Sequence, residues 1–116
     1  MDRRAGRRVV TEEQAVWTAV EKAAASDRPV VLATIVRARG STPRGIGSKL
    51  VIDPERGLTG TVGGGCGEAE VIEAARQVLL TGTPRLVRVD LTEDLFSWSA
   101  AVCGGVFDVF LERAGG

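Results

Sequence analysis

The chain has 116 residues, 44% of them hydrophobic and 26% charged, with 15 lysines and arginines balanced by 15 acids. This predicts one globular domain around one core, and zero net charge argues against a general pull on nucleic acid. The absence of histidine removes the commonest general base and zinc ligand, two cysteines are too few for a disulfide scaffold, and no apolar run approaches the ~18 residues of a membrane span.

Residues 1–10 carry Arg3, Arg4, Arg7 and Arg8 with no apolar stretch after them. They read as a basic disordered tail rather than a secretory leader, and the expected compartment is a reducing cytoplasm. The single domain is expected over 11–113. Thr11-Glu12-Glu13-Gln14 has the form of a capping box. Ala15, Val16, Ala19, Val20, Ala23 and Ala24 then recur at helical spacing, so a helix is predicted to end near Ser26, ahead of Pro29. Val30 to Val36 is nearly all apolar and rich in β-branched residues, the pattern of a buried strand. A turn-rich loop over 39–47 leads to a short strand, Lys49 to Ile52, then to the turn Asp53-Pro54-Glu55-Arg56-Gly57 and a strand over Leu58 to Val62. Glu68 to Leu80 is the clearest helix, with Val71, Ile72, Ala75, Val78 and Leu79 on one face and Gly82 and Pro84 as its stop. Leu86 to Leu91 and Val106 to Leu111 alternate as strands, and Thr92 to Ala101, with Phe96 and Trp98, fits a short helix or a loop. Helix, three strands, helix, two strands is an α/β (mixed α+β) arrangement: a mixed sheet of about five strands with two main helices packed on it.

Chemistry concentrates in three segments. In Gly63-Gly64-Gly65-Cys66-Gly67-Glu68 a cysteine sits between a strand and a helix N-terminus, where free backbone N–H groups favour an anion or a thiolate. The spacing is not the dinucleotide fingerprint, which needs a glycine at a third fixed position. In Gly40-Ser41-Thr42-Pro43-Arg44, followed by Lys49, hydroxyls and cations suit a phosphate, although the Gly-Lys-Ser/Thr end of a P-loop is missing. Cys103-Gly104-Gly105 precedes the last strand. Together with Cys66 it would supply two soft sulfur ligands, suited to a thiophilic metal or to sulfur transfer. Phe96 and Trp98 could wall a flat heterocycle or fill the core. The three segments equally fit tight turns with buried structural cysteines and a solvated loop.

The same segments carry a resemblance. Ala33 to Gly40, Ser41-Thr42-Pro43-Arg44, Gly47-Ser48-Lys49, Val62-Gly63-Gly64-Gly65-Cys66-Gly67-Glu68 and Cys103-Gly104-Gly105 with its following strand occur in the order found in the N-terminal domain of the XdhC/CoxI family, which the chain resembles. The match runs over about 12–112. Gly63 stands where the family has serine and Gly67 where it has valine, and the C-terminal Rossmann-like domain of longer members is not in this sequence.

The resemblance implies a maturation factor for molybdenum hydroxylases of the xanthine dehydrogenase or CO dehydrogenase type. Such a protein binds molybdenum cofactor (molybdopterin), assists its sulfuration and delivers it to the apoenzyme. It would act as an insertion chaperone rather than an enzyme. On that reading Ser41, Thr42, Arg44 and Lys49 hold the phosphate or pterin, and Gly64, Gly65, Cys66, Gly67, Cys103 and Gly104 line the cofactor, with Cys66 and Cys103 toward the metal. The partners implied are the apo molybdenum hydroxylase, a cysteine desulfurase, a separate Rossmann-type C-terminal-domain protein and a second copy of the chain. Two alternatives remain open: a thiol or persulfide carrier acting through Cys66, and a non-catalytic assembly module that contacts a partner protein.

Overall fold

A computed structural model describes residues 11–40, 45–60, 68–90 and 105–115. The elements run α1 (Glu12–Ala25), β1 (Pro29–Arg39), β2 (Lys49–Asp53), β3 (Gly57–Gly60), α2 (Glu68–Thr81), β4 (Arg85–Asp90) and β5 (Val106–Gly115). The two helices and five strands are those the sequence predicts, in that order, and the α/β (mixed α+β) class holds. The five strands form one sheet in the order β3-β2-β1-β5-β4. Within that sheet every ladder is antiparallel, so no parallel pair is mixed in. The reason is that β1, β2 and β3 fold back on one another in turn, while the last strand inserts between β1 and β4 against both. The segments 1–10, 41–44, 61–67 and 91–104 lie outside the described residues, and with them the expected basic tail, the expected end of β3 at Val62 and the ambiguous stretch around Phe96 and Trp98.

Residue parity along β1 sorts the core into two layers. Val31, Ala33 and Ile35 pack with Val71, Ala74, Ala75 and Val78 of α2. Val30 and Leu32 pack with Val16 and Ala23 of α1. One helix therefore covers each face, which is why central β1 is apolar on consecutive rather than alternate positions. Val78 of α2 is fully buried against the sheet, a burial contributing about 1.5–3 kcal/mol. Beyond Ile35 the register with β5 shifts before Arg37. This bulge leaves Val36 exposed and brings Arg37 onto the α1 face.

Local chemistry sets the boundaries. The Gln14 amide donates to Thr11 Oγ1 and the Thr11 amide to Gln14 Oε1, both at 3.1 Å, which is the reciprocal capping box. After α1, Asp27 takes the left-handed conformation, one that Asp tolerates better than most residues, and Arg28 turns the chain into β1. The β2–β3 turn closes on Asp53, whose Oδ1 accepts from the amides of Glu55 at 2.8 Å and Arg56 at 3.1 Å. Gly60 ends β3 at φ +88°, where a Cβ would lie 2.6 Å from the Lys49 carbonyl oxygen and 2.9 Å from Val16 Cγ2. Only glycine lets β3, β2 and α1 meet that closely.

Candidate functional site

Register fixes where the three motif-bearing segments attach. Arg39 of β1 and Asp90 of β4 both pair with Val106 of β5, at the same end of the sheet. Lys49 opens β2 and Gly60 closes β3 on the side facing that end, level with Thr34 and Ala33 near the middle of β1. The connections 41–44, 61–67 and 91–104, flanked by Gly40 and Gly45, Gly60 and Glu68, and Asp90 and Gly105, therefore all leave the strands toward the same end of the sheet. At the other end Pro29 pairs with Gly115, and the β2–β3 turn lies there. Antiparallel pairing produces this segregation, since every second connection must leave from the same edge of the strands.

Lys49 is the one predicted site side chain within the described residues. It is half-buried, and its Nζ donates to the Gly47 carbonyl oxygen at 3.2 Å, leaving two of three ammonium donors for other partners. The loop beneath it is tied to β1: the Gly47 amide donates to the Ile35 carbonyl at 2.8 Å, and the Ile35 amide to the Ser48 carbonyl at 2.9 Å. The turn Gly45–Ser48 is thus held by main-chain bonds independent of side chains. A cavity of about 500 Å³ opens here, lined by Glu13 and Val16 of α1 with Ile46, Gly47, Ser48 and Lys49. Its volume is in the range that accepts a small heterocycle. Its two charged walls, Glu13 and Lys49, offset one another. Ser41, Thr42, Arg44, Gly64, Gly65, Cys66, Gly67, Cys103 and Gly104 all lie outside the described residues.

A charged row near this end was missed in the sequence. Asp108 of β5 pairs across the sheet with Arg37 of β1 and Arg88 of β4. Its Oδ1 accepts from Arg88 Nε at 3.1 Å, and its Oδ2 lies 3.5 Å from Arg37 Nη1. Asp108 is buried although both arginines are exposed. The hydrogen bond to Asp108, and then the attraction of its charge, raise the Arg88 guanidinium further above its ordinary value. A lone acid within the otherwise apolar run Val106 to Leu111 was the signal for this pairing.

The model of the XdhC and CoxI family matches residues 23–90, more than half of the chain and including the loop 41–44, Lys49 and the turn 61–67. The chain belongs to the XdhC and CoxI family. Within the family range lie β1, β2, β3, α2 and β4, so the match covers the scaffold that presents the glycine-rich segments. Among similar proteins, the uncharacterized protein YqeB of Escherichia coli K12 is 32% identical over 100 residues, covering 86% of this chain and 18% of YqeB. A probable xanthine dehydrogenase subunit from Bacillus subtilis 168 is 34% identical over 85 residues, covering 72% of this chain and 26% of the relative. The crystal structure of a xanthine dehydrogenase from Bacillus halodurans superposes with a TM-score of 0.70 at 32% identity, over 83% of this chain and 29% of that one. The chain spans about a fifth to three-tenths of the length of these proteins. Among the described residues, no helix is long and apolar enough to cross a membrane.

Proposed function

We propose that this XdhC/CoxI domain binds molybdenum cofactor and serves its insertion into a molybdenum hydroxylase of the xanthine dehydrogenase or CO dehydrogenase type. The observation that supports the reading is that the described strands flanking all three motif-bearing segments lead out toward the same end of the sheet. β3 and β5 are three strand positions apart, or about 14 Å at ~4.8 Å per step. The seven residues of 61–67 extend to at most about 25 Å. Gly60 stands level with Leu111 through Leu50 and Ala33, about 20 Å along the strands from Gly105, so a span of that length is compatible with one site shared by Cys66 and Cys103.

The donor set fits the group. Arg44, Ser41 and Thr42 offer a fork of N–H donors and hydroxyls for a phosphate. Lys49 stands beside the heterocycle-sized cavity, and two thiols suit a metal already bound through sulfur. When bound, the cofactor supplies the molybdenum centre that the client enzyme uses. The work of this chain is to hold the pterin and phosphate, shield the metal from water and release them to the partner. The relative from Bacillus subtilis, a probable xanthine dehydrogenase subunit, supports a client of that class. The test is purification from a molybdopterin-competent host, followed by fluorescence of the oxidised pterin and molybdenum analysis. Stoichiometric pterin lost in Cys66→Ser and Arg44→Ala supports the reading. Protein free of pterin but carrying cyanolysable sulfur on Cys66 overturns it in favour of a sulfur carrier.

A further inference from the structure

A second cavity, of about 360 Å³, lies between α1 and the edge strand β3 and extends toward the end of the sheet opposite the glycine-rich segments. One stripe of α1 walls it: Ala15, Thr18, Ala19 and Lys22, at helical i, i+3, i+4, i+7 spacing. The facing wall is the β2–β3 hairpin, through Asp53, Arg56 and Thr59, and Arg28 closes the end.

The charges in this cavity do not cancel. Asp53 is its single acid among three cations. Both Asp53 oxygens are already engaged: Oδ2 accepts from Arg28 Nη1 at 2.6 Å, and Oδ1 accepts from the two turn amides. Burial pushes the Asp53 carboxyl up, but the Arg28 hydrogen bond and those amides outweigh it and hold the group below its ordinary value. It is therefore an anion whose two oxygens are already taken by Arg28 and the turn amides. Lys22 and Arg56 have no acidic partner among the described residues. Two uncompensated cations, two threonine hydroxyls and a floor of two alanine methyls remain.

We propose that this cavity binds a small phosphomonoester. Its dianionic phosphate sits between Lys22 and Arg56 and accepts from the hydroxyls of Thr18 and Thr59. Its uncharged body lies over Ala15 and Ala19. Two free cations match a dianion better than a carboxylate, and the volume exceeds by several-fold the ~30 Å³ share of one water, leaving space for an organic body. The site is separate from the proposed cofactor end and stands or falls independently of it.

The test is titration of the ¹⁵N-labelled chain with inorganic phosphate and with glycerol 3-phosphate at low ionic strength. The expected result is saturable amide shifts confined to 15–22 and 56–59, with glycerol 3-phosphate binding more tightly than phosphate. Lys22→Gln and Arg56→Gln should each weaken binding about tenfold or more, the effect of losing one charge-assisted hydrogen bond. Arg56→Gln keeps the main-chain amide on Asp53, and Lys22 is exposed on α1, so both variants should melt as the parent does. Non-saturating shifts spread equally to Arg76, Arg85 and Arg113, or unchanged affinity in the doubly substituted protein, overturn the proposal.

Discussion

Asp53 is the residue whose removal should report most directly on how the hairpin end of the sheet is held. It links Arg28, at the start of β1, to the β2–β3 turn through one ion pair and two amide hydrogen bonds. The Arg28 and Asp53 side chains are 14% and 9% exposed. Asp53→Ala deletes a charge-assisted hydrogen bond worth about 1.5–3 kcal/mol and leaves a half-buried guanidinium without its counter-charge. The amides of Glu55 and Arg56 belong to exposed residues and regain water, so they add little. The sum is a loss of about 2–4 kcal/mol, or about 10 °C in Tm for a domain of this size. Asp53→Asn keeps an acceptor for the turn and loses only the charge, so it should cost about half as much. The pH dependence follows from the depressed carboxyl. A folded-state pKa below the unfolded value of ~3.9 contributes stability present above that value and lost as pH falls through the folded pKa. Urea unfolding followed by far-ultraviolet circular dichroism should thus show the gap between parent and Asp53→Asn at pH 7 and its narrowing as pH falls below the unfolded value of ~3.9. A loss under about 0.5 kcal/mol for Asp53→Ala, or a parent–Asn gap unchanged at pH 3, would refute the reasoning. So would a double-mutant cycle with Arg28→Ala showing no coupling.

Four further outcomes are expected. Gly60→Ala should destabilise by more than about 2 kcal/mol in urea titration, because its Cβ would strike the Lys49 carbonyl, whereas Gly57→Ala, also at positive φ but with open space around it, should cost only the ~1 kcal/mol of local strain. Phe107→Ala, at a fully buried site under α2, should lose about 3–5 kcal/mol, while Leu86→Ala, which is 62% exposed, should stay within ~0.5 kcal/mol. Cys66 should alkylate faster than Cys103 at neutral pH, as expected for a thiol ahead of the α2 N-terminus; Cys66→Ser should keep the fold and lose client maturation in a co-expression assay. Arg44→Ala should weaken pterin binding about tenfold with little change in Tm, the size of one lost charged contact, and an unchanged titration would count against the phosphate loop.

The local signals in this chain were legible because they depend on neighbours in sequence. Thr11 and Gln14 specify the start of α1, Gly82 and Pro84 the stop of α2, and Asp53 with Gly57 the β2–β3 turn; each acts within four residues, where chain connectivity alone fixes the geometry. The glycine and cysteine motifs and their order were legible too, and with them the family. Other features depended on groups far apart in the chain. Nothing in Val106 to Gly115 announces that β5 inserts between β1 and β4, because strand order is set by which edges pair in the assembled sheet rather than by any one strand. The pairings of Asp108 with Arg37 and Arg88, and of Asp53 with Arg28, join residues 20 to 71 positions apart, and only the register brings them together. The sheet end where the three motif segments attach has the same origin. Sequence determined the family and where the chain must turn. Tertiary pairing decided which turns share an edge, because antiparallel register is a property of the assembled sheet and of no single strand.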